Sequence, residues 1–286
     1  MGHEADHESH WEHGQAPAVG DVTTRRPVLR LRDGHISERP DTLVVEEPLQ
    51  IRVGSSVLTT TMRTPGHDID LVAGWLVAEG AVASSDDIVT IRMCPDELNT
   101  VEAMLAAHIA PPRPRAFATT SACGVCGSDT VVEVRSALRW PPHDDRVSVD
   151  RGVISSLPAR LRTAQHAFDR TGGLHAAGVF TAAGEQILVR EDVGRHNAVD
   201  KVIGAALQSN LLPLTGHVLQ VSGRASFELV QKCAMAGIPV LSAISAPSSL
   251  AVDLATECGI TLVGFVRGDA MNVYSRSDRV GASTDR

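Results

Sequence analysis

From Glu185 to Gly268 the chain repeats one rhythm of apolar run and helical pattern. "EQILVRED" leads to "NAVDKVIGAALQSN", "HVLQVSG" to "ASFELVQKCAMAG", and "PVLSAIS" to "SSLAVDLATECG"; "ITLVGFVRG" ends the series. Each run holds a continuous apolar stretch, as strands do when both faces are covered. Strands alternating with helices in this way predict a parallel or mixed sheet sandwiched between helix layers, an α/β fold. In such a sheet, ligands bind where strand ends meet helix starts.

Three junctions carry residues that a core does not need. In "REDVGRHNAVDK", Gly194 permits a tight turn, Arg195 and His196 then stand at the positive end of a helix, and Asn197 is a candidate cap. In "VSGRASFE", Ser222, Gly223, Arg224 and Ser226 can offer N–H, hydroxyl and guanidinium donors to an anion, although an N-cap beside a surface arginine reads the same way. "ISAPSS" enters a Ser-capped helix and suits plain capping as well as a ligand contact. His175, in "GGLHAAG", follows two glycines that let a ligand or backbone approach, but a lone histidine is more often structural.

Upstream, the pattern is more extended. Residues 1–26 read as a disordered His-rich tail, with His3, His7, His10 and His13 either solvated or able to capture a metal ion. Residues 27–150 form a β-rich N-terminal part with a cysteine loop, 151–276 an α/β part, and 277–286 a flexible C-terminus. "DTLVVEEPLQIRVGSSVLTTTMRT" reads as strands turning at Gly54-Ser55-Ser56. "HDIDLVAGWLVAEGAV" gathers Ile69, Leu71, Val72, Trp75 and Leu76 near one helical face and stops at Gly80. "DIVTIRMCPDELNTVEAMLA" is two strands about Pro95-Asp96-Glu97, and "TVVEV", after the cysteine loop, is again extended. "SSLPARLRTAQHAFDRTGG" is one helix, capped by Ser155 or Ser156 and ended by Gly172-Gly173. "HAAGVFTAAGEQILVRED" is a hairpin turning at Ala183-Gly184.

Composition sets limits. The chain is 43% apolar but only 3% aromatic, so its core must be built from Val, Leu, Ile and Ala. No apolar run reaches the roughly 18–20 residues of a membrane span, and the charged start lacks a signal peptide's apolar stretch. The expectation is a cytoplasmic protein that engages no membrane. A net charge of −8 argues against nucleic-acid binding, which needs a basic face, but leaves room for one anion in a local pocket. Five cysteines, an odd count in a long chain without export signals, argue against a disulfide framework.

Two of the five, Cys123 and Cys126, sit in "TTSACGVCGSDT". Structural zinc needs four ligands, and Cys94, Cys233 and Cys258 are isolated, each most simply a small core residue. A zinc ribbon is unsupported unless two chains each donate a pair. A zinc deaminase needs His-x-Glu ahead of Pro-Cys-x-x-Cys, whereas here the only His-x-Glu is His10-Trp11-Glu12, in the tail, and Ala122 precedes Cys123. A rigid thioredoxin-like pair would open a helix, which Gly124, Gly127 and Ser128 disfavour. What remains is a mobile loop with two exposed thiols. One thiolate can take sulfur as a persulfide, and the second can assist its release or protect it as a disulfide.

"CGVCG", "GGLHAAG", "EDVGRHNAVDK", "SGRASFELVQK", "AISAPSSLAVDLA" and "LVGFVRG…NVY" occur in this order. Together they resemble the formate dehydrogenase accessory sulfurtransferases, the FdhD family, from about residue 30 to about residue 276. The resemblance implies a fold similar to cytidine deaminases, without their zinc set and with no catalytic metal of its own. It implies a sulfurtransferase that accepts sulfur from a cysteine desulfurase as a persulfide. The sulfur passes to the molybdenum of the bis(molybdopterin guanine dinucleotide) cofactor before that cofactor enters formate dehydrogenase. It also implies a homodimer. Carried over, Cys123 bears the persulfide and Cys126 is its partner. Phe265, Val266, Arg267, Gly268, Asp269 and Ala270 match the cofactor-binding stretch, where Asp269 adds a negative charge beside a phosphate-rich ligand. Arg195, Arg224 and Arg267 are candidate phosphate or guanine contacts, with His175 and His196 lining the same cleft. The competing readings are a cofactor chaperone that transfers no sulfur and a zinc-dependent deaminase.

Overall fold

The computed structural model describes residues 22–114 and 127–281. It opens with a two-stranded antiparallel ribbon, β1 (Thr23–Arg32) and β2 (His35–Val44). β1 therefore begins inside the segment read as tail, while 1–21 lie outside the described residues. β3 (Glu47–Val53) and β4 (Ser56–Arg63) form the expected hairpin about Gly54. α1 (Asp68–Ala78) follows, then β5 (Ile88–Met93) and β6 (Thr100–Leu105), giving a four-stranded sheet ordered β4-β3-β6-β5. Leu49, Ile51, Leu58 and Val101 from this sheet join Leu71, Val72 and Leu76 of α1 in the main core.

The chain after the cysteine loop is a helix, α2 (Gly127–Ser136), and not the extended segment expected from "TVVEV". Val131 and Val134 fall at helical spacing, and Val134 is buried in the main core. Arg135 pairs with Glu257 on the neighbouring helix. Tertiary burial here overrides the β preference of the valines. The single helix expected from Ser155 to Gly172 is two. α3 (Arg151–Thr163) follows a short strand, β7 (Val149–Asp150), and is capped by Asp150, whose carboxylate accepts from the Gly152 N–H at 2.6 Å. Ser155 and Ser156 lie within α3 and cap nothing. α4 (His166–Thr171) starts afresh because the Glu191 carboxylate accepts from the N–H groups of Ala167 (3.0 Å) and Phe168 (2.8 Å).

The rest of the chain is the α/β layer that its rhythm predicts. In order come β8 (His175–Thr181), β9 (Gln186–Asp192), α5 (Arg195–Gln208), β10 (His217–Val221), α6 (Phe227–Met235), β11 (Val240–Ala243), α7 (Ser249–Cys258) and β12 (Thr261–Arg267). β13 (Ala270–Ser275) turns back along β12, and β14 (Val280–Gly281) pairs with β7. The six-stranded sheet runs β13-β12-β11-β10-β8-β9, with β10, β11 and β12 parallel and the flanking pairs antiparallel. Its faces feed two cores. Leu219, Leu241 and Leu262 enter the main one, and Val218, Val240 and Val263 enter a second core with Ile154, Leu157 and Leu161 of α3. Two-sided burial is why these strands read as unbroken apolar runs. Cys233 and Cys258 are buried core residues, as expected, and burial pushes both thiols up, Cys258 to about 11. Among the described residues no helix is long and apolar enough to cross a membrane.

Candidate functional site

The C-terminal ends of β9, β10, β11 and β12 and the start of β8 lie along one edge of the large sheet, because β8 runs antiparallel to β9 and β10. The loops there are stitched together. Ser222 N donates to Ala176 O (3.0 Å), and Ala176 N to Ser222 Oγ (2.9 Å). Ala225 N donates to Ala246 O (3.2 Å), Ser248 N to Ala225 O (3.0 Å) and Phe265 N to Ser245 O (3.2 Å). The three junctions singled out in the sequence, together with His175, thus share one edge, the position at which open α/β sheets bind ligands.

α5 begins at Arg195 behind its cap Gly194, three residues earlier than the expected Asn197 cap. Asp192 holds that turn, accepting from Gly194 N at 2.7 Å. Asn197 instead reaches across to the N-terminal sheet, donating to Met62 O at 2.7 Å and to Asp192 Oδ1 at 3.1 Å. Arg195 and His196 are left at the free N-terminus of a fourteen-residue helix, where N–H groups and dipole favour an anion.

The edge is cationic, with Glu228 as the carboxylate that acts on Arg195. Arg195 Nε is buried without a hydrogen-bond partner. Neither Arg195 nor Arg224 is a member of the ion pairs formed among the described residues, although Glu228 acts on Arg195. Burial, with Arg224 adding repulsion, holds Arg195 below its ordinary value, and Glu228 only partly offsets this. Burial also lowers His175, again with Arg195 adding to it, and a methyl on Gly223 would stand 3.3 Å from His175 Nδ1. His196 Nε2 lies 3.1 Å from Ser226 Oγ and 3.6 Å from Glu228 Oε2. Burial takes His196 down to about 4, so its ring is neutral at physiological pH. An orphaned buried guanidinium nitrogen beside a second unpaired arginine fits a polyanionic ligand such as a phosphate-rich nucleotide.

Behind the edge runs a buried network that the sequence reading did not single out. Lys232 donates to both carboxylate oxygens of Asp200 (2.8 and 3.0 Å) and lies 3.3 Å from Glu228. Lys201 pairs with Asp192 at 2.7 Å and donates to Thr64 O at 2.8 Å. Charged residues inside the otherwise apolar helices α5 and α6 were the available signal. A larger cavity, about 250 Å³, opens beside His67 and His166 and touches Lys201, but no candidate residue lines it.

The stretch Phe265–Ala270 divides. Phe265 holds a φ of 54° at a break in the β12–β13 register and is 39% exposed. A large side chain in the left-handed region is strained, and strain of this kind gathers at functional positions. Val266 is buried in the second core. Arg267, Gly268, Asp269 and Ala270 form the exposed β12–β13 turn, with Arg151 donating to Asp269 O at 3.4 Å. Cys123 and Cys126 lie outside the described residues. Among the described residues no three His, Cys, Asp or Glu side chains are gathered as a metal ion requires.

Fold and edge together define an α/β platform that presents unpaired arginines and a neutral histidine along the C-terminal ends of its strands. The chain belongs to the FdhD/NarQ family, whose sequence model matches residues 44–281. It is 53% identical over 270 residues to a sulfur carrier protein FdhD from Mycolicibacterium paratuberculosis, covering 91% of this chain and 99% of that one. It is 55% identical to the sulfur carrier protein FdhD of Streptomyces coelicolor (92% and 97% covered) and 43% identical to that of Sulfolobus acidocaldarius (88% and 96%). The fold is similar to a crystal structure of a protein assigned as a formate dehydrogenase accessory protein in Desulfotalea psychrophila. That match has a TM-score of 0.74 at 25% identity, covering 91% of this chain and all of that one.

Proposed function

We propose that this protein carries sulfur from a cysteine desulfurase to the bis(molybdopterin guanine dinucleotide) cofactor on its way to formate dehydrogenase. The observation that carries the reading is the cationic edge around Arg195 and Arg224, where the buried Arg195 Nε has no hydrogen-bond partner, in a chain more than half identical to named sulfur carriers. The cofactor is cargo, and its phosphates meet Arg195, Arg224 and the N-terminus of α5. Phe265 and the turn at Gly268 hold its nucleotide end.

Cys123 takes the outer sulfur of the desulfurase persulfide, and the desulfurase leaves as thiol. Cys126 then attacks the inner sulfur. The Cys123–S–SH bond breaks, a Cys123–Cys126 disulfide forms, and hydrogen sulfide departs with both protons. Hydrogen sulfide and a molybdenum oxo group exchange to give a sulfido group and water, with no change in oxidation state. A dithiol reductant reopens the disulfide. The protein works as a homodimer in the cytoplasm, on a deaminase-like fold.

Mass spectrometry after incubation with a desulfurase and cysteine tests this. One added sulfur atom on Cys123, absent in Cys123→Ala, is the expected result. No adduct, together with normal formate dehydrogenase maturation in a Cys123→Ala strain, rejects sulfur transfer and leaves a cofactor chaperone.

A further inference from the structure

Beneath the cationic edge, between β4, α1, α5 and α6, lies a small cavity of about 40 Å³. Its polar lining is Thr59, Thr61, His196, Asn197, Asp200 and Glu228. Water needs roughly 10–15 Å³ of such space per molecule, so the cavity has room for water. Thr59 is 4% exposed, and its hydroxyl has no hydrogen-bond partner. A buried hydroxyl left unpaired costs about 1–3 kcal/mol, so the lining points to an occupant that hydrogen-bonds.

Four ionisable groups run past this cavity from the cleft into the core. His196 Nε2 is 3.6 Å from Glu228, Glu228 is 3.3 Å from Lys232, and Lys232 is 2.8 Å from Asp200. His196 stands at the N-terminus of α5, on the edge where the cargo is placed, while Lys232 and Asp200 are buried. A structural ion pair needs no such continuity and no polar pocket beside it.

We propose that His196, Glu228, Lys232 and Asp200, with water in the cavity, form a proton store that opens on the cleft through His196. Its substrate rests on the sulfur-carrier reading, but its existence does not. Exchange of hydrogen sulfide for a metal oxo group moves two protons from sulfur to oxygen and no electrons. His196 accepts a proton from sulfur as the sulfur–metal bond forms and returns it to the oxygen that leaves as water. Glu228, Lys232 and Asp200 act through His196 as positioning groups that hold the proton in between. The charges around them agree. Burial lowers His196 to about 4, with Arg195, Lys232 and His175 adding to the fall and Glu228 opposing it. Burial raises Asp200 to about 7, with Lys232 opposing and Glu228 and Glu79 adding to the rise. A neutral imidazole is thus linked to a carboxyl group that titrates near neutrality.

The test loads the full chain with radioactive sulfur through a cysteine desulfurase and supplies sulfur-free molybdenum cofactor. Single-turnover transfer is followed from about pH 5 to about pH 9, and His196→Gln is expected to slow it about 100-fold and flatten the pH profile. Glu228→Gln and Asp200→Asn are expected to shift the midpoint of that profile. A wild-type rate and profile in His196→Gln, or midpoints unmoved in the other two, overturn the proposal. Thermal melts identify a variant that no longer folds, and Asp200→Asn/Lys232→Met, which removes both buried charges together, then replaces it. If the wild-type chain takes up no sulfur, the sulfur-carrier reading falls on its own. A high-resolution crystal structure then judges the store. Water bound to Thr59 and Asp200 supports it, and a dry cavity overturns it.

Discussion

Gly74 of α1 and Gly204 of α5 meet backbone to backbone: a methyl on Gly74 would lie 1.8 Å from the Asp200 carbonyl oxygen, and one on Gly204 1.8 Å from that of Asp70. This contact seats the helix that carries Arg195 and His196 against the N-terminal part. The obstacle in each case is main chain, which cannot turn aside as a side chain does. Gly74→Ala and Gly204→Ala are each expected to destabilise the protein by about 3 kcal/mol, the upper range for overpacking. The double variant costs less than the sum, because one widening of the helix gap relieves both clashes. Urea unfolding of the three variants measures this.

Lys201 and Asp192 are expected to behave as a buried pair. Lys201 is 1% and Asp192 0% exposed, and the pair also fastens Thr64 of the N-terminal part. Lys201→Met leaves a buried carboxylate without its cation, at a cost of about 3 kcal/mol. Lys201→Met/Asp192→Asn recovers part of the loss, since no net charge is then stranded. Recovery that fails to appear in urea unfolding would show that the Asp192 contacts to Gly194 and Asn197, rather than the ion pair, hold this corner.

How much of this was legible depended on where each residue's information lay. Two-sided burial is written directly into β10, β11 and β12 as unbroken apolar runs, and the junction rule then brought Arg195, His196, Arg224 and His175 to one edge. α2 was not legible, because Val131 and Val134 favour a strand locally and only α7 beside them makes a helix of the segment. Asn197 looked like a cap because its true partner, Met62 O, is far away in sequence. Asp200 and Lys232 read as ordinary helix residues until their partners were in place. Nothing local marks Phe265 for a positive φ, and its N–H donates to Ser245 O in a loop twenty residues earlier.

The pH dependence of stability carries two opposed contributions. His196 drops from 6.5 to about 4 on folding, so its stabilisation is present above 6.5 and lost as pH falls through 4. Asp200 rises from 3.8 to about 7, so its contribution is present below 3.8 and lost as pH rises through 7. Between these limits the two partly cancel. Relative to His196→Gln, wild type gains stability as pH rises across the window; relative to Asp200→Asn, it loses stability. Urea unfolding at steps through the window reads both slopes, and two slopes of the same sign would contradict the assignment.

Phe265→Gly separates strain from contact. Glycine adopts the φ of 54° freely, so removing the strain is expected to return about 1 kcal/mol. The exposed ring is lost at the same time, and guanosine diphosphate should bind more weakly in calorimetry. A variant that is neither more stable nor poorer at binding would leave the strained position without a role.

Arg195 poses the same question in charge. Its buried Nε has no partner, and Arg224 repels it. Without ligand the guanidinium therefore works against the fold, and Arg195→Leu is expected to melt no lower than wild type. A charge-assisted contact contributes about 1.5–3 kcal/mol, so the same variant should bind guanosine diphosphate at least about tenfold more weakly. Arg224→Ala, at an exposed position, should weaken binding with little change in melting. Both should flatten the dependence of affinity on salt, because each removes a cation that meets phosphate. Stability kept while affinity falls is the mark of residues placed for a ligand rather than for the fold. A parallel loss of both in Arg195→Leu would instead make Arg195 a structural residue of the α5 turn.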